Sequence, residues 1–267
     1  MPDTGRRTRS WLFAPGHDEK LLSRVFDCGA DIVLLDLEDA VPVNLKTRAR
    51  GLVAEVAASR PCWVRVNRPL TDTCRLDLEA IAGRVAGVRV PKVESAADVD
   101  WVKAIVPDTL LDCSIETALG VLNAYEIARS PGCASLSYGG LDLMLDLGTG
   151  GGEIEMLYAR SAIVVAVRAA GKPPPSDGVH TRNDDDEGLE REAQSARRLG
   201  YFGKSAIHPR QVPIINAVFS PTVGEREWAE RVLSAFEESG GAATKLPDGE
   251  FVDLAVAELA RHVLGQG

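Results

Sequence analysis

Short apolar runs alternate with longer stretches of helical periodicity along most of the chain. The runs are Ser10–Pro15, Asp31–Leu37, Cys62–Val66, Gly87–Pro91, Leu110–Ile115, Ala134–Tyr138, a segment around Pro175–Val179 and Lys204–His208. Several are apolar almost throughout, as in Ile32-Val33-Leu34-Leu35, the pattern of parallel strands buried on both faces. The seventh is the least regular, because Pro173-Pro174-Pro175 disfavours ladder pairing.

Between these runs the spacing predicts amphipathic helices. Asp18 caps the first, with Leu21, Leu22, Val25 and Phe26 on one stripe and an end near Gly29. The second covers Asn44 to Ala58. Ser95-Ala96-Ala97-Asp98 opens another, and Glu153 to Ala170 forms a long one that stops at Gly171. Asp184-Asp185-Asp186-Glu187 reads as negative charge at the positive end of a helix running to Leu199, rather than as a metal cluster. Eight βα units favour a (β/α)₈ barrel over an open doubly wound sheet. No GxGxxG follows a strand. Gly148-Thr149-Gly150-Gly151-Gly152 lacks the Lys-Ser/Thr of a P-loop and reads as a flexible loop. The barrel is assigned to 1–220. The remaining segment, 221–267, is read as a C-terminal helical lid or arm onto a neighbouring subunit. It comprises a helix within Pro221–Glu238, a hinge at Ser239-Gly240-Gly241-Ala242 and a helix over Phe251–Leu264.

Composition narrows the function. With 267 residues, 45% apolar, the chain buries a full core and is not disordered. Lys+Arg of 30 against Asp+Glu of 39 leaves a net charge of -9, which argues against nucleic acid or anionic membrane as the main partner. No apolar run approaches the roughly 18 residues of a membrane span. The N-terminal stretch lacks a signal h-region, and five widely spaced cysteines without CxxC suit reduced thiols. These features predict a cytoplasmic protein.

In a barrel, chemistry gathers where strands end at their C-terminal side. Reading the polar residue that closes each strand yields Glu38-Asp39, Arg65 and Asn67, Lys92, Glu116, Gly139-Gly140-Leu141-Asp142, Asp177 or His180, and His208. Acids around one arginine and one lysine suggest a divalent cation and an anionic substrate. Glu116 and Asp142 are the best metal ligands, and Glu38 and Asp39 suit groups that hold metal-bound water. Glu116 taken alone reads equally as an acid at a helix N-terminus. The Gly139–Asp142 turn opens a helix whose N–H groups could bind a carboxylate. Lys92 is either an ion-pair partner of the rim acids or a Schiff-base lysine, with two metal-type carboxylates favouring the former. His208 reads as a barrel-mouth hydrogen-bonding residue, and Trp11 and Tyr138 as core or wall aromatics.

Several stretches, in this order, resemble the citrate lyase beta-subunit-like members of the HpcH/HpaI aldolase/citrate lyase group, which includes malyl-CoA and citramalyl-CoA lyases. They are Arg9-Ser10-Trp11-Leu12-Phe13-Ala14-Pro15-Gly16, Leu35-Asp36-Leu37-Glu38-Asp39-Ala40-Val41-Pro42, Lys46 to Arg50, Val64-Arg65-Val66-Asn67 and Val90-Pro91-Lys92-Val93-Glu94. Ile115-Glu116-Thr117-Ala118-Leu119-Gly120, Tyr138-Gly139-Gly140-Leu141-Asp142-Leu143, Ala206-Ile207-His208-Pro209 and Gly249-Glu250-Phe251-Val252-Asp253 follow. The resemblance implies a homo-oligomer, a trimer or hexamer, with Mg²⁺ on Glu116 and Asp142. It implies that Arg65 binds substrate oxygen and that CoA passes near Arg9 to Lys20, so that Phe13 and Lys20 join Lys92, Gly139, Gly140 and Leu141 as substrate contacts. It also implies an acid, Asp253, supplied by a neighbouring subunit. Here Leu254-Ala255-Val256 stands where the family usually has a proline, and Asp253 reads equally as a helix N-cap. The expected reaction is Mg²⁺-dependent cleavage of a β-hydroxyacyl-CoA to acetyl-CoA and a 2-oxo acid. The alternatives are a citrate lyase beta subunit acting on an acyl-carrier thioester, a CoA-independent aldolase, a malate synthase or thioesterase, and a non-catalytic scaffold.

Overall fold

The computed structural model describes residues 8–265, in two compact units that meet in sequence between Asn216 and Ala217. In the larger unit eight parallel strands are laid down in chain order. They are β1 (Ser10–Pro15), β2 (Ile32–Asp36), β3 (Trp63–Arg65), β4 (Gly87–Val90), β5 (Leu110–Ile115), β6 (Cys133–Tyr138), β7 (Asp177–Val179) and β8 (Lys204–Ala206). The hydrogen-bonded order is β6-β5-β4-β3-β2-β1-β8-β7. A parallel bridge between Ser137 and Ser176 brings β6 to β7, with Tyr138 N–H donating to Ser176 O at 2.9 Å, so the sheet nearly closes on itself. This is a (β/α)₈ barrel with helices outside, and it removes the free edges of an open sheet. The proline run lies just before β7, which explains how a proline-rich segment still delivers a strand.

Local signals account for most helix ends. Asp18 accepts from the N–H of Lys20 and Leu21 ahead of Glu19–Arg24, though Leu21 itself faces solvent and only Leu22 and Val25 of the expected stripe are buried. Ser95 and Asp98 form a reciprocal capping box, and Asp185 caps Asp186–Leu199 through Gly188 N–H, as the acidic run suggests. The helices Asp72–Ile81, Ala124–Arg129 and Gln211–Val218 complete the layer; the first is capped by Thr71 and buries Cys74, Leu78 and Ile81 on one stripe.

The barrel interior is not purely apolar. Arg89 on β4 is buried, its Nε 2.6 Å from Asp112 Oδ2, its Nη1 and Nη2 donating to Ser205 Oγ (3.0 Å) and Ser176 Oγ (3.1 Å). Asp112 also accepts from Ser135 at 2.6 Å, and the guanidinium lies 4.6 Å over the Trp11 ring. Strands β4, β5, β6 and β8, with Ser176 just before β7, thus share one satisfied polar network, the condition under which buried charge is tolerated.

The smaller unit contains the helix Val223–Glu238, begun by a Thr222/Glu225 capping box, and the helix Leu254–Leu264. Between them the chain turns at residues 239–242, with Gly240 and Gly241 at positive φ, and an antiparallel pair, β9 (Thr244–Lys245) and β10 (Phe251–Val252), follows. Phe251 and Val252 are therefore strand residues, not the start of the last helix. Ala229, Val232, Phe236, Leu246, Val252, Ala257 and Ala260 form its core. All five cysteines are free thiols. Among the described residues no helix is long and apolar enough to cross a membrane.

Candidate active site

A cavity of about 250 Å³ opens at the C-terminal ends of the strands. Phe13, Arg65, Glu116, Gly139, Gly140, Leu141, Asp142 and Asp39 line it, so side chains from four strand ends and the helix after β6 converge there. Lys92 and Glu38 belong to the same cluster through their contacts. Lys20 does not: it is exposed on the first helix and does not line the cavity.

The geometry begins with the parallel register that sets Asp36 beside Arg65. Asp36 Oδ1 and Oδ2 accept from Arg65 Nε and Nη2, both at 2.7 Å, a bidentate fork that fixes the guanidinium plane. The guanidinium also lies 4.8 Å over the Phe13 ring, and its Nη1 is 3.0 Å from Glu38 Oε2. Burial alone would raise the Asp36 carboxyl. The charge and hydrogen bonds of Arg65, with the N–H groups of Glu38 and Ala40, outweigh it and hold the group below the usual carboxylate range. Behind this pair Lys46 Nζ donates to Leu37 O and Glu38 O, both at 2.6 Å, and to Asn67 Oδ1 at 2.8 Å, which holds the loop after β2.

Glu38 is 5% exposed, and burial pushes its carboxyl up to about 7 against the pull of Arg65, with Glu116 adding to the rise. Burial likewise raises the Glu116 carboxyl, against the pull of Lys92. Glu116 Oε2 is buried without a hydrogen-bond partner. The Lys92 ammonium, 3.4 Å from that oxygen, offsets only part of the cost of burying it without a hydrogen bond. Asp142 stands beside Glu116 on the helix Gly140–Leu147, and both touch the Lys92 ammonium. No group of three His, Cys, Asp or Glu residues suited to a metal occurs among the described residues, and Glu116 and Asp142 are a neighbouring pair of carboxylates. That donor set, hard oxygens with room left for water and ligand, fits Mg²⁺.

Gly139 is obligatory at its position. A Cβ there would lie 2.3 Å from Glu116 Cγ, and one on Gly140 would lie 2.7 Å from the Tyr138 ring. Gly139 N–H is committed to Ile115 O at 3.0 Å. The donors at the open helix end are therefore those of Gly140, Leu141 and Asp142, a smaller set than the whole turn.

A family model described as HpcH/HpaI aldolase/citrate lyase matches residues 9–209. The chain belongs to that family. A (3S)-malyl-CoA thioesterase of Cereibacter sphaeroides is 38% identical over 97% of this chain and 94% of its own. A citrate lyase subunit beta of Leuconostoc mesenteroides subsp. cremoris is 35% identical over 97% and 93%. Among solved structures, protein CitE from Mycobacterium tuberculosis, in complex with magnesium, acetoacetate and coenzyme A, superposes with a TM-score of 0.86 at 32% identity, covering 98% of each chain.

Other residues of this HpcH/HpaI chain fall outside the cavity. Asp177 is buried at the start of β7, 2.7 Å from Lys204 Nζ and 3.3 Å from Arg160 Nη2, beside a second cavity of about 380 Å³. His180 faces Glu192 at 3.0 Å, and His208 is exposed with Nδ1 accepting from Arg210 N–H. None of the three lines the cavity at the strand ends. Asp253 caps the helix Leu254–Leu264 in the smaller unit, its Oδ1 accepting from Val256 N–H at 3.0 Å. Asp36, Arg89, Ser114 and Ser205 line the cavity without being anticipated from the sequence. The one available signal was an acid or arginine interrupting an apolar strand, as in Ile32-Val33-Leu34-Leu35-Asp36 and Gly87-Val88-Arg89-Val90.

Proposed function

We propose that this chain is a Mg²⁺-dependent carbon–carbon lyase that cleaves a malyl-, citramalyl- or citryl-CoA type thioester to acetyl-CoA and a 2-oxo acid. The observation that carries the reading is the pairing of the buried Glu116 carboxylate, whose Oε2 makes no hydrogen bond, with Asp142, in one cavity with an arginine clamped by Asp36. The magnesium, coenzyme A and acetoacetate named with the Mycobacterium tuberculosis structure support it.

Glu116 and Asp142 hold the metal in this reading, with Glu38 and Asp39 orienting water around it. Mg²⁺, when bound, supplies Lewis-acid polarisation of the substrate's hydroxyl and carboxylate oxygens. The N–H groups of Gly140 and Leu141 receive a carboxylate of the future 2-oxo acid. As the hydroxyl proton leaves to a water that Glu38 and Asp39 orient, the hydroxyl-bearing carbon becomes the oxo carbon, and breaking its bond to the thioester α-carbon sends the electron pair toward the thioester carbonyl. Arg65, immobilised by Asp36 and Phe13, stabilises the negative charge developing on that oxygen. A proton must then reach the α-carbon. Asp253 is assigned to deliver it, from the C-terminal segment of a neighbouring copy in a cytoplasmic homo-oligomer, trimer or hexamer.

The test supplies purified protein and Mg²⁺ with malyl-, citramalyl- and citryl-CoA in turn, following 2-oxo acid, acetyl-CoA and free CoA separately. Release of 2-oxo acid that disappears with EDTA and in Glu116→Ala supports the lyase. Release of free CoA and malate without glyoxylate supports a thioesterase instead, the reading favoured by the name of the Cereibacter relative. No turnover of any CoA ester, with metal binding intact, points to an acyl-carrier thioester or a CoA-free aldolase.

A further inference from the structure

Lys92 is unusual on two separate grounds. Its backbone has φ of 52°, in the left-handed region that a residue with a Cβ rarely adopts. Such conformations persist where the surroundings over-determine them, and they gather at functional sites. Its ammonium also lies among four carboxylates: 2.7 Å from Glu38 Oε1, 3.2 Å from Asp142 Oδ1, 3.4 Å from Glu116 Oε2 and 3.6 Å from Asp39 Oδ2. A structural ion pair needs one of these acids, and an ammonium has only three donors.

Two of these contacts go to the carboxylates assigned to the metal. Any cation that both Glu116 and Asp142 coordinate is a close neighbour of the ammonium. Like charges at such short range repel strongly in a half-buried site. Without a positive charge among them, the four acids repel one another in turn. A lysine suits this place better than an arginine fork would, because it is a compact point charge on a flexible stem that can yield ground.

We propose that Lys92 is a tethered counter-cation of the metal site. Its ammonium competes with the divalent ion for the oxygens of Glu116 and Asp142, so metal affinity is set below what the carboxylates alone would provide. A divalent ion held this loosely is retained best when a substrate adds its own anionic oxygens, which couples metal retention to substrate binding. This inference rests on the reading of Glu116 and Asp142 as metal ligands.

The experiment titrates the full-length protein with Mn²⁺ alone, reading free Mn²⁺ by electron paramagnetic resonance, and needs no substrate. Wild type, Glu116→Gln, Lys92→Met, Lys92→Gln and Lys92→Arg are compared at one pH, with circular dichroism as the check on folding. Lys92→Met and Lys92→Gln are expected to bind Mn²⁺ at least tenfold more tightly than wild type, and Lys92→Arg within about threefold of it, since the charge is kept. Wild-type or weaker affinity in a folded neutral variant overturns the inference and leaves the metal reading standing. Absence of a Glu116-dependent Mn²⁺ site in the wild type removes the metal reading, and this inference with it.

Discussion

Replacing Glu38 by glutamine should stabilise the metal-free protein at neutral and higher pH, and should do so in a pH-dependent way. The Glu38 carboxyl moves from 4.5 to about 7 because burial outweighs the attraction of Arg65 and Lys92, while Glu116 adds repulsion. Below pH 4.5 the folded and unfolded chains both carry the proton, and the group contributes no difference. Between 4.5 and 7 the folded chain keeps a proton that the unfolded chain has released, so stability falls as pH rises. Above 7 the full cost is present. A gap of about 2.5 pH units corresponds to roughly 3 kcal/mol, at about 1.4 kcal/mol per unit. The amide of Glu38→Gln mimics the protonated form, so its advantage should be near zero at pH 4 and approach that figure by pH 8. Urea unfolding in EDTA at pH 4, 6 and 8, at one protein concentration, reads the difference directly. A difference that stays constant across this range, or a variant less stable than wild type at pH 8, would refute the argument that burial dominates at this carboxylate.

Gly139→Ala should weaken Mn²⁺ binding at least tenfold and cost about 1–3 kcal/mol of stability, because the new methyl group must push the buried Glu116 from a position 2.3 Å away; calorimetric titration with Mn²⁺ and urea unfolding check it. Asp112→Ala leaves Arg89 unpaired inside the barrel and should cost about 3–5 kcal/mol in urea unfolding, most of it recovered in the Arg89→Met/Asp112→Leu double variant. Asp253→Asn keeps an oxygen to accept the Val256 N–H but cannot donate a carboxyl proton. Its turnover should fall at least 100-fold with unchanged Mn²⁺ affinity and melting temperature, and wild-type turnover would remove Asp253 from the chemistry. Asp253→Ala should show in addition a loss of about 1 kcal/mol from the missing cap.

The strands and most helix ends were legible because their causes are local. A run such as Ile32-Val33-Leu34-Leu35 is apolar on both faces whatever surrounds it, and Ser95 with Asp98 caps a helix using neighbours in the chain. The rim residues Arg65, Glu116 and Asp142 were legible by position, since each closes or follows a strand and a barrel brings strand ends together. Local pattern failed at the hairpin of β9 and β10, whose strands are two residues each and too short to establish a period. It failed again at Asp36 and Arg89, whereas Lys92 meets the rim acids as its position at a strand end suggests. Asp36 looks like one acid at the end of a strand until the register with β3 sets it against Arg65. Arg89 looks misplaced in an apolar strand until barrel closure brings Asp112, Ser176 and Ser205 around it. Lys92 gathers acids that lie as far as 54 positions away along the chain. Sequence alone determined which segments become strands and which ends carry charge, because hydrophobic period and capping act over a few residues. Tertiary structure decided which charges meet, because the partner of a buried charge is chosen by strand register and barrel closure, and no local pattern encodes either.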